Sequence, residues 1–325
     1  MNKCFYCYND LDSKYSNFHP KCAKNIFGVN KIENSLLSLK NLDLQEITKS
    51  YISNRLTIPG VQKKLSVKIS LDKSLSNKDS NRLTIMGFLN GTHILKPSCE
   101  EYPNLPEIED LSMKIATLLG IKTAEHSLIP IESKDGKMEI AYICKRFDRI
   151  KNKKIAMEDF CQLANKFTEE KYKGSAELIA KIITKYSSNP GDDLLRFIEL
   201  LLHSFIIGNA DMHLKNFSFI TDNLNFIHLS PAYDLVATRL LIPEHLDKEE
   251  LALPINGRKN NIRLKDFYVL ASDYNIPNKV ITNIVKRINS KIGKIEDLIK
   301  RSFLPEKQKN DFILLIKERI NRISI

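Results

Sequence analysis

Gly208-Asn209-Ala210-Asp211-Met212-His213-Leu214-Lys215-Asn216 directly follows an apolar run, Leu194 to Ile207, that reads as a buried helix. An aspartate five positions before an asparagine has the spacing of a loop that moves a phosphoryl group. There the carboxylate takes a hydroxyl proton and the amide helps to hold a metal ion. A second acid, Asp234 in Pro231-Ala232-Tyr233-Asp234-Leu235, follows where another metal ligand is expected. Upstream, the strand-like run His93-Ile94-Leu95-Lys96 supplies a lysine in the matching order. Taken singly, each residue has a plainer reading: an aspartate ahead of a helix is usually a cap, and a lysine ending a strand is usually solvated. The order Lys96, Asp211, Asn216, Asp234 lifts the group above those readings.

Phosphoryl transfer asks mostly for positioning and charge neutralisation. Asp211 is the candidate base. Asn216 and Asp234 offer hard oxygen ligands suited to Mg2+. Lys96 is a point charge for the α/β-phosphates of ATP, oriented by a helix carboxylate, with Glu109 preferred over Glu107. His213 and Lys215 are placed to meet phosphate or the charge developing in the transition state. The phosphate loop is the weakest part. Thr57-Ile58-Pro59-Gly60-Val61-Gln62 carries a single glycine and on its own reads as an ordinary turn, with Lys63 and Lys64 adding charge. Lys145 to Phe147 ends a strand where the backbone of a hinge would meet adenine.

The chain has 325 residues, 42% hydrophobic and 27% charged, enough for two substantial cores. No N-terminal run qualifies as a signal peptide, and Leu194 to Gly208 is too short and too charged to span a bilayer. A cytoplasmic protein with no membrane partner is expected. The net charge of +11 favours polyanions, although the lysines are spread rather than blocked. Six cysteines in a chain this long do not make a disulfide framework. Three of them cluster early: Cys4-x2-Cys7, then His19-x2-Cys22, which together offer a closed four-ligand site for a structural Zn2+. Residues 1–30 are therefore read as a separate zinc-knuckle-like segment, too small to hold a core without a staple.

Residues 33–52 read as a helix, and Leu65 to Leu71 as one half-buried strand. Leu83–Leu89 and Thr92–Leu95 read as two strands of a hairpin turning at Asn90-Gly91. Pro106–Leu119 reads as a helix stopped by Gly120, and Ser127–Ile131 and Glu139–Ile143 as further strands. From Met157 onward helices are expected at 157–166, 174–187, 191–207, 264–274, 278–300 and 307–323, with short strands at Phe217–Ile220 and Asn225–His228. The expected class is α/β in the α+β sense, with a two-lobed protein-kinase-like plan. A β-rich N-lobe spans 31–145, a helical C-lobe spans 146–325, and a nucleotide would bind in the cleft between them.

These segments together resemble the HipA family of bacterial toxin kinases. Thr57 to Leu65 resembles the family's Ser-Ile-x-Gly-x-Gln-x-Lys loop, His93 to Ser98 its Ile-Leu-Lys-Pro-Ser strand, and Pro106-Glu107-x-Glu109 its Glu-x-Glu helix start. Arg146-Phe147-Asp148-Arg149 resembles its hinge, Glu158 to Gln162 the next helix, and Gly208 to Phe217 with Leu229 to Leu235 its catalytic and metal motifs. The resemblance implies ATP at Pro59, Gly60, Val61, Gln62, Lys63, Lys64 and Lys96, adenine at Lys145, Arg146 and Phe147, and nucleotide with Mg2+ at His213, Leu214, Lys215, Asn216, Tyr233 and Asp234. It implies autophosphorylation of Thr57. It also implies a protein substrate among the aminoacyl-tRNA synthetases. Because about 50 residues precede the loop here, the resemblance is to the shorter HipT type. Such a chain works beside a small antitoxin resembling the extra N-terminal subdomain and a helix-turn-helix DNA-binding partner.

Two other readings use the same residues. A small-molecule phosphotransferase would share Asp-x4-Asn and the later Asp, but not the Thr57–Gly60 loop or the Arg146–Arg149 hinge. A nucleic-acid-binding regulator with a degenerate kinase fold would use the basic charge and the knuckle, yet Lys96, Asp211, Asn216 and Asp234 are all intact.

Overall fold

The computed structural model describes residues 3–12, 17–30, 32, 36–38, 64–72, 82–85, 91–133, 135–150 and 153–324, the strands at 69–72 and 82–85 by backbone only. Thr57, the loop Pro59 to Lys63, and the expected helix at 33–52 except for 36–38 lie outside these residues. The chain divides into two compact units. One comprises residues 1–110 and 124–147, the other 111–123 and 148–325.

The first unit is built on a five-stranded sheet. Its strands are β1 (Leu37–Ser38), β6 (His126–Glu132), β7 (Met138–Lys145), β5 (His93–Lys96) and β2 (Leu65–Val67), in that spatial order. β1 runs parallel to β6 and the other pairs are antiparallel. Leu37–Ser38 is thus strand, not part of a helix, because Leu37 closes the apolar layer beside Ile131. β5 is held on both sides, by β2 and β7, so it has no free edge for the segment before it. The turn expected at Asn90-Gly91 lies partly outside the described residues, and among the described strands the two segments it would join do not pair with each other. β4 (Arg82–Ile85) pairs with β3 (Ile69–Asp72) in a separate two-stranded sheet. The single strand expected from Leu65 to Leu71 is accordingly split at Lys68 between two sheets. Gly91 has a different task from turning. A Cβ there would stand 2.3 Å from Ser66 Oγ and 2.8 Å from Val67 N, so only glycine lets β2 approach.

The early Cys/His segment is not a unit of its own. Its helix Pro20–Phe27 ends on Gly28 in the left-handed conformation (φ 80°), and Cys4, Phe18, Cys22, Ala23 and Ile26 share one apolar core with Leu65, Leu95, Ile129 and Ile143. A segment too short to bury its own hydrophobic face has completed it against the sheet.

The helix Leu105–Leu119 closes with Gly120 at φ 95°. The second unit takes up its residues from Leu111 and is mainly helical, with a short ribbon of β8 (Arg149–Ile150) and β9 (Lys153–Lys154) near its start. Its centre is Pro190–Ile207, with Pro at its first turn and Phe197, Leu202, Phe205, Ile206 and Ile207 fully buried. Ala176–Tyr186, Leu264–Asp273 and Glu306–Ile323 pack against it, Asn278–Asn289 is tied to it by the Arg287–Glu199 pair, and Ile292–Arg301 packs on Glu306–Ile323. The helix expected at 278–300 is therefore two. Ser290 and Lys291 donate their N–H groups back to Lys286 and Ile288, closing the first, and the Lys291 ammonium meets the Leu118 carbonyl at 2.6 Å. The helix expected at 157–166 is also replaced. Met157–Asp159 is a strand (β10) paired with β11 (Ser218–Thr221), which pairs in turn with β12 (Ile227–Leu229). Helix begins only at Phe160, where Asp159 Oδ1 accepts from the Gln162 N–H and Gln162 Oε1 accepts from the Asp159 N–H. That reciprocal cap sets the start one turn later than the apolar spacing suggests. Among the described residues no helix is long and apolar enough to cross a membrane.

Gly91→Ala should lower unfolding free energy by about 1–3 kcal/mol through overpacking. Gly293→Ala, in a helix with nothing within 4 Å of the added carbon, should be neutral or stabilising. Denaturant titrations of the two variants against the parent compare them directly.

Candidate functional site

Each unit carries part of the candidate chemistry. In the first, Lys96 ends β5 with 4% exposure, and its Nζ lies 2.5 Å from Oε1 of the fully buried Glu109. The sheet register sets Lys96 opposite Tyr142, whose ring centroid is 5.3 Å from the ammonium. Of the two carboxylates left open by the sequence, Glu109 is the one that meets the lysine. Burial lifts the Glu107 carboxyl to about 7, partly offset by its own backbone N–H. The next helical residue, Asp110, turns elsewhere: it accepts from the Tyr8 hydroxyl at 2.5 Å and from His126 Nδ1 at 2.6 Å. At the expected hinge, the Lys145 N–H is donated to the Glu125 carbonyl and the Arg146 N–H to the Thr92 carbonyl. Those two donors serve the unit's own backbone. Lys64 is half-buried at the start of β2.

In the second unit the central helix ends at Gly208, in the left-handed region at φ 70°. A Cβ there would meet Arg239 Cβ at 2.8 Å, so glycine is required twice over. The chain is then held by its own side chains. The Thr238 hydroxyl donates to the Gly208 carbonyl and accepts from the Ala210 N–H. Asn209 Oδ1 accepts from the Asp211 N–H at 3.0 Å, and Asn216 Nδ2 donates to the Asp211 carbonyl at 3.0 Å. The Asp-x4-Asn segment is thus a closed loop. With its nitrogen committed, Asn216 has Oδ1 as the atom that could meet a cation. The Asp211 side chain is half exposed and accepts from the Tyr172 hydroxyl.

Asp234 adopts a positive φ of 58°, a conformation that aspartate tolerates better than most residues. Its neighbour Tyr233 fixes it: the hydroxyl donates to the Lys215 carbonyl at 2.9 Å and lies 2.5 Å from Ser218 Oγ. His213 feels both acids. Burial pushes its imidazole pKa down, against the opposing pull of the Asp211 and Asp234 charges, with the Lys171 ammonium adding to the fall. A neutral ring at this position can orient but adds no positive charge. Lys215 places its ammonium 2.8 Å from Asp159, the cap of the Phe160 helix, so its charge is already paired. In this arrangement the Lys215 ammonium is paired with Asp159, and burial disfavours a charged His213 ring.

The early cluster is compact. One ligand atom from each of Cys4, Cys7, His19 and Cys22 lies within 4.8 Å of the others. Tetrahedral zinc with Zn–S about 2.3 Å has ligands roughly 3.8 Å apart, so the four need little movement to close on an ion. His19 Nε2 meets the Asp10 carbonyl at 3.1 Å, which turns Nδ1 to the thiols, 3.4 Å from Cys7 Sγ. A carbonyl behind the distal nitrogen is the usual support of a metal-bound imidazole.

Several residues of these sites were not visible as such in the sequence. Tyr172, Asn209 and Thr238 around Asp211, and Tyr8, Asp110 and His126 behind Glu109, are single polar residues far apart in the chain. Only Asn209 had a local signal, an Asx two positions before the residue whose N–H it accepts.

The chain matches the family model of the HipA-like C-terminal domain over residues 56–295. It is 30% identical over 239 residues to a Haemophilus influenzae protein named "Putative kinase", covering 66% of this chain and 69% of that one. It is 34% identical over 193 residues to "Putative kinase Y4dM" of Sinorhizobium fredii, covering 57% of this chain and 45% of that one. The chain thus spans less than half of the Sinorhizobium relative. Among solved structures it resembles HipA of Shewanella oneidensis MR-1, from a complex of HipA, HipB and operator DNA. The TM-score is 0.66 at 21% identity, over 86% of this chain and 70% of the other. It also resembles the Helicobacter pylori proinflammatory kinase CtkA, with a TM-score of 0.53 at 18% identity, over 80% and 94% of the two chains. At those identities the likeness establishes a shared mixed α/β, kinase-like fold.

Asp211→Asn keeps the backbone bonds that build the loop, and at this half-exposed side chain, which still has an oxygen to accept from Tyr172, it should change stability by no more than about 0.5 kcal/mol. Asp193→Ala should cost about 1–3 kcal/mol, because its buried carboxylate accepts from Arg196, Ser187 and the Leu229 N–H. Unfolding of both variants in urea checks the contrast.

Proposed function

The chain belongs to the family of the HipA-like C-terminal domain, and we propose that it is a serine/threonine protein kinase that uses ATP-Mg2+ and acts as the toxin of a bacterial toxin–antitoxin system. The observation that carries this reading is the closed Asp211–Asn216 loop, with Asp211 and Asp234 both acting on His213. Such a loop presents a half-exposed carboxylate as proton acceptor and, beside it, two oxygen ligands of the kind Mg2+ prefers. Bound Mg2+ would neutralise charge on the transferring phosphoryl group, with Asn216 and Asp234 as its ligands. Lys96, kept in place by Glu109, would neutralise the nucleotide phosphates. Lys215 and His213 would hold the loop in shape.

The finer parts of the proposal rest on the family resemblance. The substrate is a protein, in the first instance an aminoacyl-tRNA synthetase in the cytoplasm. The partners are a small antitoxin and a helix-turn-helix DNA-binding protein. Pro59 to Lys64 cradle the phosphates, and Thr57 beside them is the residue the kinase phosphorylates on itself. A phosphate on Thr57 would add about −1.5 to −2 charges next to those of ATP and so lower activity. The Cys4, Cys7, His19 and Cys22 cluster is a structural zinc site with no open position for chemistry.

Purified protein incubated with ATP-Mg2+ should label itself, with Thr57 as the mapped site. Asp211→Asn should lower the rate by about 10²–10⁴-fold, and Asp234→Ala should abolish it. Near-parental labelling by Asp211→Asn would remove Asp211 from the role of base. Phosphate confined to residues outside Ser53 to Lys64 would move the regulatory site elsewhere.

A further inference from the structure

The early cluster is joined to Lys96 by a continuous set of buried side chains. Cys7 is followed by Tyr8, whose backbone is in the left-handed region at φ 64°. A tyrosine rarely adopts that conformation unless its surroundings impose it. The turn that imposes it is formed by the cluster's own residues: the Tyr8 N–H donates to the Cys4 carbonyl, and the Cys4 N–H to the Asn9 carbonyl, both at 2.9 Å. The result is that the Tyr8 ring points inward, 1% exposed, with its hydroxyl 2.5 Å from Asp110 Oδ2.

Asp110 Oδ1 meets His126 Nδ1 at 2.6 Å, and the His126 ring stacks on Tyr142 with centroids 5.9 Å apart. Tyr142 in turn faces Lys96, and Lys96 is paired with Glu109, the residue before Asp110 on the same helix. The path from the knuckle therefore closes on itself around the lysine. A second set of contacts ties the same segment to the strand that carries Lys96. His93 Nε2 donates to the Ile26 carbonyl at 3.0 Å, and the Phe27 and His93 rings lie 6.2 Å apart. Burial pushes the His93 pKa down to about 4, so this contact persists with a neutral ring across the physiological range.

We propose that the Cys4–Cys7–His19–Cys22 cluster binds a single Zn2+ and that this ion, by fixing the turn at Tyr8, positions the helix carboxylates so that Glu109 holds Lys96 for ATP. Tyr8 is a positioning residue: it acts through Asp110 and Glu109 and touches no nucleotide. The effect on phosphoryl transfer rests on the kinase reading above, whereas zinc binding and helix positioning do not. The energy scale is adequate. A hydrogen bond to a charged group contributes about 1.5–3 kcal/mol, which corresponds to tenfold or more in an equilibrium constant. The ion would tie together the three thiols and the imidazole that flank this turn, adding to the backbone bonds that already hold residue 8.

The test uses the full chain and three variants, Tyr8→Phe, Glu109→Gln and the double variant. Zinc content is read by elemental analysis, helix order by amide hydrogen exchange over residues 105–110, and affinity by titration with ATP-Mg2+. The parent should carry zinc. Tyr8→Phe should keep the zinc, exchange faster over 105–110, and bind ATP-Mg2+ about tenfold more weakly. In the Glu109→Gln background, Tyr8→Phe should add no further loss, because both changes break one path. A parent that binds no zinc when expressed with it overturns the metal site. Unchanged exchange over 105–110 in zinc-loaded Tyr8→Phe overturns the coupling. So do losses in ATP affinity that multiply in the double variant. If the parent itself binds no ATP-Mg2+, the kinase reading falls, and zinc content with hydrogen exchange still decides the positioning.

Discussion

A lysine ammonium with 4% exposure must be paired, and much of the first unit is arranged to satisfy that one requirement. Burying an unpaired charge is prohibitive, and breaking a buried pair costs about 3–5 kcal/mol, far more than a surface ion pair is worth. The carboxylate comes from the helix Leu105–Leu119, which places two fully buried acids in succession, Glu109 and Asp110. Consecutive helical residues point about 100° apart, so the two cannot serve the same partner. Glu109 takes Lys96, and Asp110 takes Tyr8 and His126. Tyr142 fills the space between these sets, facing the ammonium on one side and stacked with His126 on the other.

The second unit meets a different constraint, that buried backbone groups need partners where a helix ends. Beyond Gly208 the chain has no further helical turn to supply them. Thr238, Asn209 and Asn216 supply them instead, to Gly208, Ala210 and Asp211. The loop is rigid because its polar groups are spent on its own backbone. Asp211 is the exception: its backbone is held, yet its carboxylate remains half exposed. A group meant to accept a proton from a ligand needs this combination of fixed position and open access. Around it, burial pushes the His213 imidazole pKa down and the Lys215 ammonium pairs with Asp159.

Sequence order alone singled out Lys96, Asp211, Asn216, Asp234 and the four residues of the early cluster as candidates, since each lies in a short motif whose spacing suggests the chemistry. It also located helices such as Pro190–Ile207 and Glu306–Ile323, where apolar residues recur over several turns, though it merged the two at 278–301 into one. Strand partners were a different matter. Asn90-Gly91 has the composition of a hairpin turn, but a turn signal is local and a strand pairing is not. β5 is occupied on both sides by strands about 30 and 50 residues away in the sequence, which only the assembled sheet reveals. The same holds at Met157, where pairing with β11 and a capping box at Asp159 override a helical apolar period.

What the sequence determined by itself is therefore the inventory of reactive groups and the α+β character of the chain, because both depend on residue type and near-neighbour spacing. What only the tertiary structure decided is which groups touch. The choice of Glu109 over Glu107 for Lys96, the turning of Asp110 toward Tyr8, the pairing of Lys215 with Asp159, and the sharing of one core by the early cluster and the sheet all join residues distant in the chain. Their energies come from burial and from the pairing that burial demands, and neither exists until the segments have packed together.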